Sequence, residues 1–250
     1  MEKHSKTDTM DPVRRARIEV AATLRWADRL GLSEGICNHF SLLVPGTTDR
    51  FLLNPQGLHW SEIKTSDLII VDPAGNLIEG KHQAEPTAFF IHSRIHLHQA
   101  SARCVLHTHT PTATALCCLQ DGRVEFISQI ALRYYKRISY DDQYNGLALD
   151  EAEGDRICSK LGENDVLFLA NHGVIVTGSD VARAFDDLYY LERTCQLQVL
   201  AQSTGKPLRQ IPDHLCSTAS EQFARDTQQS YLFLDAIIRI LSHESPEFLE

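Results

Sequence analysis

The stretch Cys104-Val105-Leu106-His107-Thr108-His109-Thr110 begins with three apolar residues and ends on two histidines one residue apart. It is short and lacks helical periodicity, which predicts a buried strand, and Thr110-Pro111 predicts a helix start directly behind it. On a strand, residues i and i+2 project from one face, so His107 and His109 set two imidazoles side by side. Neutral imidazole binds zinc, iron, manganese or nickel well. A pair alone also fits an ordinary core or surface hydrogen-bonding role, because a metal site needs at least three protein ligands. His172 offers a third, in Asn171-His172-Gly173 between the apolar runs 166–170 and 174–176. Glycine there permits a sharp bend, although a turn histidine making a local hydrogen bond would read the same way. His92 and His96, four apart on an expected helix, form a second candidate pair. That pair lacks the H-E-x-x-H arrangement, and its face can simply border solvent.

The flanking sequence supplies the rest of the fold. Asp11-Pro12 predicts a capped helix running to Gly31, with Val13, Ala16, Val20, Leu24 and Ala27 at helical spacing. Residues 40–44, 51–53 and 68–71 are apolar runs punctuated by Pro45-Gly46, by Asn54-Pro55-Gln56-Gly57 and by Asp72-Pro73-Ala74-Gly75-Asn76. This texture predicts antiparallel strands joined by turns. Glu85-Pro86 predicts a helix with Ala88, Ile91 and Ile95 facing inward, and Asp150 with Glu153 a capping box opening a helix to Leu161. Ser179 is expected to begin a long helix toward Gly205, and one further helix to run from about Glu221 to Leu241. Strand-rich and helix-rich segments interleave without a repeat or linker. The expectation is one α/β domain over residues 11–250 with a mixed or antiparallel central sheet, after a disordered tail at residues 1–10.

Composition narrows the function. The 250 residues carry 24 basic against 33 acidic side chains, a net charge of −9, which argues against nucleic acid or an anionic membrane as main partner. No apolar run reaches the roughly 18 residues of a membrane helix, and MEKHSKTDTM lacks an apolar signal core, so a cytoplasmic protein is expected. Seven cysteines, an odd number without a C-x-x-C pair, read as reduced thiols packed as small apolar residues. No glycine-rich nucleotide motif is present.

Taken together in order, several motifs resemble the class II aldolase/adducin family. They are CVLHTHT, Asn171-His172-Gly173, Asn38-His39-Phe40-Ser41, Asn54-Pro55-Gln56-Gly57, Ile91-His92-Ser93-Arg94-Ile95-His96 and Leu191-Glu192-Arg193-Thr194-Cys195-Gln196, covering roughly residues 12–205. The resemblance implies a three-layer α/β/α domain with a central, largely antiparallel sheet, and often a tetramer. It also implies a divalent metal, zinc before manganese or iron, on His107, His109 and His172. Asn38, Ser41, Asn54 and Gly57 become candidate substrate-binding positions. In the family's sugar-phosphate aldolases the metal stabilises an enediolate and a glutamate moves the proton.

The sequence departs from that subgroup. The family acid falls on Ala88, its phosphate-binding serines on Pro86-Thr87, and its phosphate-binding threonine on Gln56. Proline has no N–H to give a phosphate, so an unphosphorylated small-molecule substrate is expected. Glu85, one helical turn before Ala88, is the candidate catalytic carboxylate, suited to a base, with metal-bound water the favoured proton carrier. At a helix start the charged form of Glu85 is favoured, and Tyr144 also stands as a proton carrier. The pattern is nearer the adducin-like branch, although Gln99-Ala100-Ser101 replaces the usual Arg-Pro-Asp there and Tyr140-Asp141-Asp142-Gln143-Tyr144 alters the usual Tyr-His-Asp-Tyr. The leading expectation is a metal-dependent lyase of aldolase or decarboxylase type, acting on a hydroxy-carbonyl or carboxylate compound. The alternatives are a non-catalytic adducin-head-like oligomerisation module and a non-haem iron oxygenase. A homo-oligomer is expected, with Tyr134, Tyr135 and the C-terminal helix as candidate contacts.

Overall fold

The computed structural model describes residues 10–250, so the expected tail lies, apart from Met10, outside the described residues. Eight strands form one sheet: β1 His39–Leu43, β2 Phe51–Leu53, β3 Ile69–Val71, β4 Leu77–Glu79, β5 Cys104–Thr108, β6 Ile138–Asp141, β7 Val166–Leu169 and β8 Gly173–Gly178. Their order is β4-β3-β2-β1-β5-β8-β7-β6, which sets the decisive strand β5 in the interior between β1 and β8. Every pairing is antiparallel except β6 with β7. The fold is therefore the expected α/β domain with a largely antiparallel sheet.

Side-chain alternation assigns the two faces. Cys104 and Leu106 of β5, Phe40 of β1 and Val176 of β8 pack beneath α1 Pro12–Arg29, α5 Val181–Gln202 and α7 Gln228–Glu244. Val105 and Ile175 point the other way, into a core shared with Ile91 and Ile95 of α2 Pro86–His98 and Ile157 of α4 Glu151–Leu161. Period-two geometry then sends His39, Ser41 and His107 to the α2 side. The remaining helices are α3 Pro111–Cys117 and α6 Asp213–Arg225. Two helix starts follow the sequence signals, Asp11 accepting from the Arg14 amide and Asp150 from Glu153, while α5 is capped by Asp180, which lies one residue past the expected Ser179 and accepts from Arg183.

Two expectations need correction, and one strand has no counterpart in the sequence reading. The single helix from Glu221 to Leu241 is two, α6 and α7, because Asp226 leaves helical geometry at φ −90°, ψ 72°. Asp226-Thr227 supplies side chains that compete with the helix backbone, and α6 buries only Cys216, which blurred its periodicity. Strand β6 is only partly buried and gave no apolar run. Tyr134 is fully buried, its hydroxyl donating to the Asp187 carbonyl at 2.6 Å, so it cannot reach another subunit. All seven cysteines are unpaired and five are buried, in keeping with a packing role.

Candidate metal centre

Three loops and strand ends deliver three histidines to one point. His107 is the buried fourth residue of β5, and its Nδ1 lies 3.1 Å from the Val174 carbonyl of β8. A carbonyl only accepts, so Nδ1 carries the proton and Nε2 keeps its lone pair. His109 stands just beyond the strand, where its amide donates to Asn38 Oδ1 at 3.1 Å. Its Nδ1 donates to Glu34 Oε2 at 2.5 Å, leaving Nε2 buried without a partner. His172 tips the β7–β8 hairpin, after Asn171 at φ +56°, a left-handed conformation that asparagine tolerates. The ring centroids are 4.7–5.0 Å apart, and one ligand nitrogen from each residue lies within 4.8 Å of the others.

The electrostatics keep two of these rings neutral. Burial, reinforced by neighbouring imidazoles, drives His107 well below the usual range, and the same causes bring His172 to about 4. A carboxylate behind one imidazole and a carbonyl behind another are the supports that orient metal-ligating histidines. Three imidazole nitrogens, one an orphaned buried Nε2, fit a divalent transition-metal ion with a coordination position to spare.

A cavity of about 300 Å³ opens on the cluster and is also lined by His39, Glu85 and Asn38. Glu85 caps α2, and its Oε2 accepts from the Ala88 amide at 2.8 Å and from the Thr87 hydroxyl, and faces His39 Nε2 at 3.2 Å. Burial alone would raise its pKa; hydrogen bonds from His39, Thr87 and Ala88 outweigh it and hold Glu85 at about 2. Ala88, where the family acid falls, is buried against Phe51, Leu53, Ile69 and Val71 instead. Tyr144 is exposed, its ring 6.5 Å from that of His172.

The other singled-out residues play different parts. Asn38, at φ +74°, lines the cavity and fixes His109. Asn54 receives the Phe40 amide at 2.8 Å and donates to the Asn38 carbonyl at 3.2 Å, tying down the start of β1. Gly57, at φ +89°, belongs to the turn that carries Gln56 to the cavity. Ser41 is buried, with Oγ 2.6 Å from His92 Nδ1 and 2.7 Å from His96 Nε2. His92 and His96 are thus enclosed between α2 and the sheet, contrary to the solvent-bordering face expected of them. His39 and Glu34 were not anticipated. Alternation with Ser41 on an expected strand could have flagged His39, whereas Glu34 is a lone loop acid with no sequence signal.

Comparison with known proteins bears on this geometry. The sequence profile described as the class II aldolase and adducin N-terminal domain matches residues 18–199. A Pseudomonas aeruginosa protein described as "Putative aldolase class 2 protein" is 34% identical over 238 residues, covering 93% of this chain and 91% of its own. Rat alpha-adducin is 35% identical over 208 residues, covering 80% of this chain but 27% of the adducin. The crystal structure of an aldolase II superfamily protein from Pseudomonas syringae superposes with a TM-score of 0.89 at 31% identity, covering 97% of this chain and 98% of its own.

Proposed function

The chain belongs to the class II aldolase and adducin family, and from that premise we propose that it is a divalent-metal-dependent lyase of aldolase or decarboxylase type. Its substrate is a small, unphosphorylated hydroxy-carbonyl or carboxylate compound. The observation that carries this reading is the convergence of a ligand nitrogen each from His107, His109 and His172, with His109 Nε2 buried and unpaired. These three would hold the ion, most simply zinc, with manganese or iron as alternatives. A bound ion would supply Lewis acidity to the carbonyl and hydroxyl oxygens as charge builds on them.

The chain's own groups do the rest. The Val174 carbonyl fixes the tautomer of His107, and Glu34 that of His109. The donors around Glu85 all meet Oε2, which leaves Oε1 to accept a hydrogen bond from a substrate hydroxyl. An acid held at about 2 is ionised at neutral pH, so Glu85 orients a hydroxyl and does not donate a proton. One observation favours the second reading, a non-catalytic module: the family acid position is Ala88, packed in apolar surroundings.

The test is metal analysis of untagged protein, then a screen of hydroxy-keto and aromatic carboxylic acids for carbon–carbon cleavage. One equivalent of divalent metal is expected, lost in His107→Ala, with cleavage of at least one compound. Wild-type protein that takes up no divalent ion would refute the metal centre. Metal uptake with no cleavage across the screen would favour the module.

A further inference from the structure

Beyond the histidines and Glu85, the cavity wall is largely hydrocarbon, formed by Ile36, Ile91, Leu147 and Ala148. Among the described residues lining it there is no Lys or Arg, and its one carboxylate is Glu85. A phosphate or second carboxylate seated away from the histidine cluster would meet that negative charge with no Lys or Arg beside it to offset its desolvation.

The mouth is built in a complementary way. Ile36 is 53% exposed and lies on the α1–β1 loop, two residues from each of Glu34 and Asn38, which hold His109. Leu147 is 69% exposed and lies on the β6–α4 loop, which also carries Tyr144 beside His172. Separate loops therefore each place a bare aliphatic side chain at a cavity whose polar groups gather around the histidine cluster and Glu85. Single exposed apolar residues are ordinary, but apolar walls around a few convergent polar groups are the composition of a small-molecule site.

We infer that the substrate is a hydroxy-carbonyl compound bearing an uncharged hydrocarbon substituent, its oxygens toward the histidine cluster and its aliphatic or aryl end covered by Ile36 and Leu147. This rests on the metal-dependent reading above and adds two residues that set substrate preference.

Three hydroxamic acids test it, each offering the same two chelating oxygens: acetohydroxamic acid, phenylacetohydroxamic acid and phosphoglycolohydroxamic acid. Their affinities are measured by isothermal titration on zinc-loaded and zinc-free protein. The phenyl compound should bind zinc-loaded protein about tenfold or more tightly than the methyl compound, the gain expected from burying part of a ring. The phosphate compound should bind no tighter than the methyl one. Leu147→Ser and Ile36→Ser, both at exposed positions, should each erase most of the phenyl advantage while zinc content stays at the wild-type value. A preference for the phosphate compound, or equal affinity for phenyl and methyl compounds with zinc in place, overturns the inference alone. So does a Leu147→Ser protein that keeps the phenyl advantage but changes its sedimentation mass, which would make Leu147 an assembly contact. Failure of every probe together with failure to load zinc overturns the metal centre, and this inference with it.

Discussion

Glu34 governs the proposed centre without being one of its ligands. Its carboxylate holds the Nδ1 proton of His109 and so presents the opposite nitrogen to the cluster. Removing such a partner commonly weakens metal binding by about 10–100-fold. Glu34→Gln should therefore lower zinc affinity by roughly that factor in a chelator competition, with the melting temperature of the metal-free protein nearly unchanged because the side chain is exposed. Unaltered zinc affinity would show that Glu34 does not orient His109. Glu85 makes the opposite case: it lies in the cavity, yet the donors on Oε2 that keep it ionised also leave it a weak base. Glu85→Gln should cost less than about tenfold in kcat on an identified substrate, whereas His107→Ala abolishes turnover. A fall of about a thousandfold with metal content unchanged would instead install Glu85 as the base. His107 and His109 were legible as a pair from their strand spacing, but it took the family resemblance to join His172 to them. Glu34 was not legible, since nothing local tells a loop acid which histidine it will meet.

The packing of β1 against α2 explains why His92 and His96 misled. Four apart on a helix, they read as a polar face, but their partner is Ser41 on a strand distant in sequence, and His96 Nδ1 donates to the Ala102 carbonyl at 2.8 Å. Burial, with a contribution from Arg103, lowers His96 to about 4 from its usual 6.5. As pH falls through 6.5 the unfolded chain takes up a proton that the folded chain refuses until about 4. Stability is therefore full above 6.5 and lost progressively between 6.5 and 4, by up to roughly 3 kcal/mol for this one group. Urea titrations of metal-free protein should show that loss beside those of His92, His107 and His172, and His96→Gln should reduce the slope by its own share; an unchanged slope would mean His96 is not held neutral. Between α2 and α4 the limit is steric. A Cβ at Gly154 would sit 2.4 Å from the Phe90 carbonyl oxygen, so Gly154→Ala must push the helices apart. Overpacking costs roughly 1–3 kcal/mol against at most about 1 kcal/mol gained in helix propensity, and a net fall in stability is expected on calorimetry. A raised melting temperature would show that α4 shifts freely. Helices with capped starts and deep apolar faces could be placed from sequence, while α6, with one buried residue, could not.

For the molecule as a whole, we propose that copies associate through exposed apolar side chains of α5, α6 and α7. Leu200, Leu215, Tyr231, Leu232 and Ile240 are exposed there. Beside α6 a groove is lined by Leu132, Ile211, Leu215 and Phe223. The buried Tyr134 leaves the list of possible contacts, and Tyr135 is partly committed through its hydroxyl to Asp213. The C-terminal helix stays on it through Tyr231, Leu232 and Ile240. A stable subunit contact buries on the order of 800 Å² per partner, with an apolar centre inside a polar rim, and large apolar side chains on neighbouring helices suit such a centre. The net charge of −9 opposes association through long-range repulsion, so the apolar contribution has to dominate at physiological salt, where charges more than about 8 Å apart are screened. A homotetramer would sediment at about 113 kDa, four times the 28.2 kDa chain, at micromolar concentration. Leu215→Asp and Leu232→Asp place a charge at the apolar centre and should shift the mass toward smaller species, more strongly at low salt. The far-ultraviolet circular dichroism should not change, because both side chains are exposed in the single chain. A 28.2 kDa particle at micromolar wild-type protein would refute the assembly, and full-size particles from both aspartate variants would move the contact to another face.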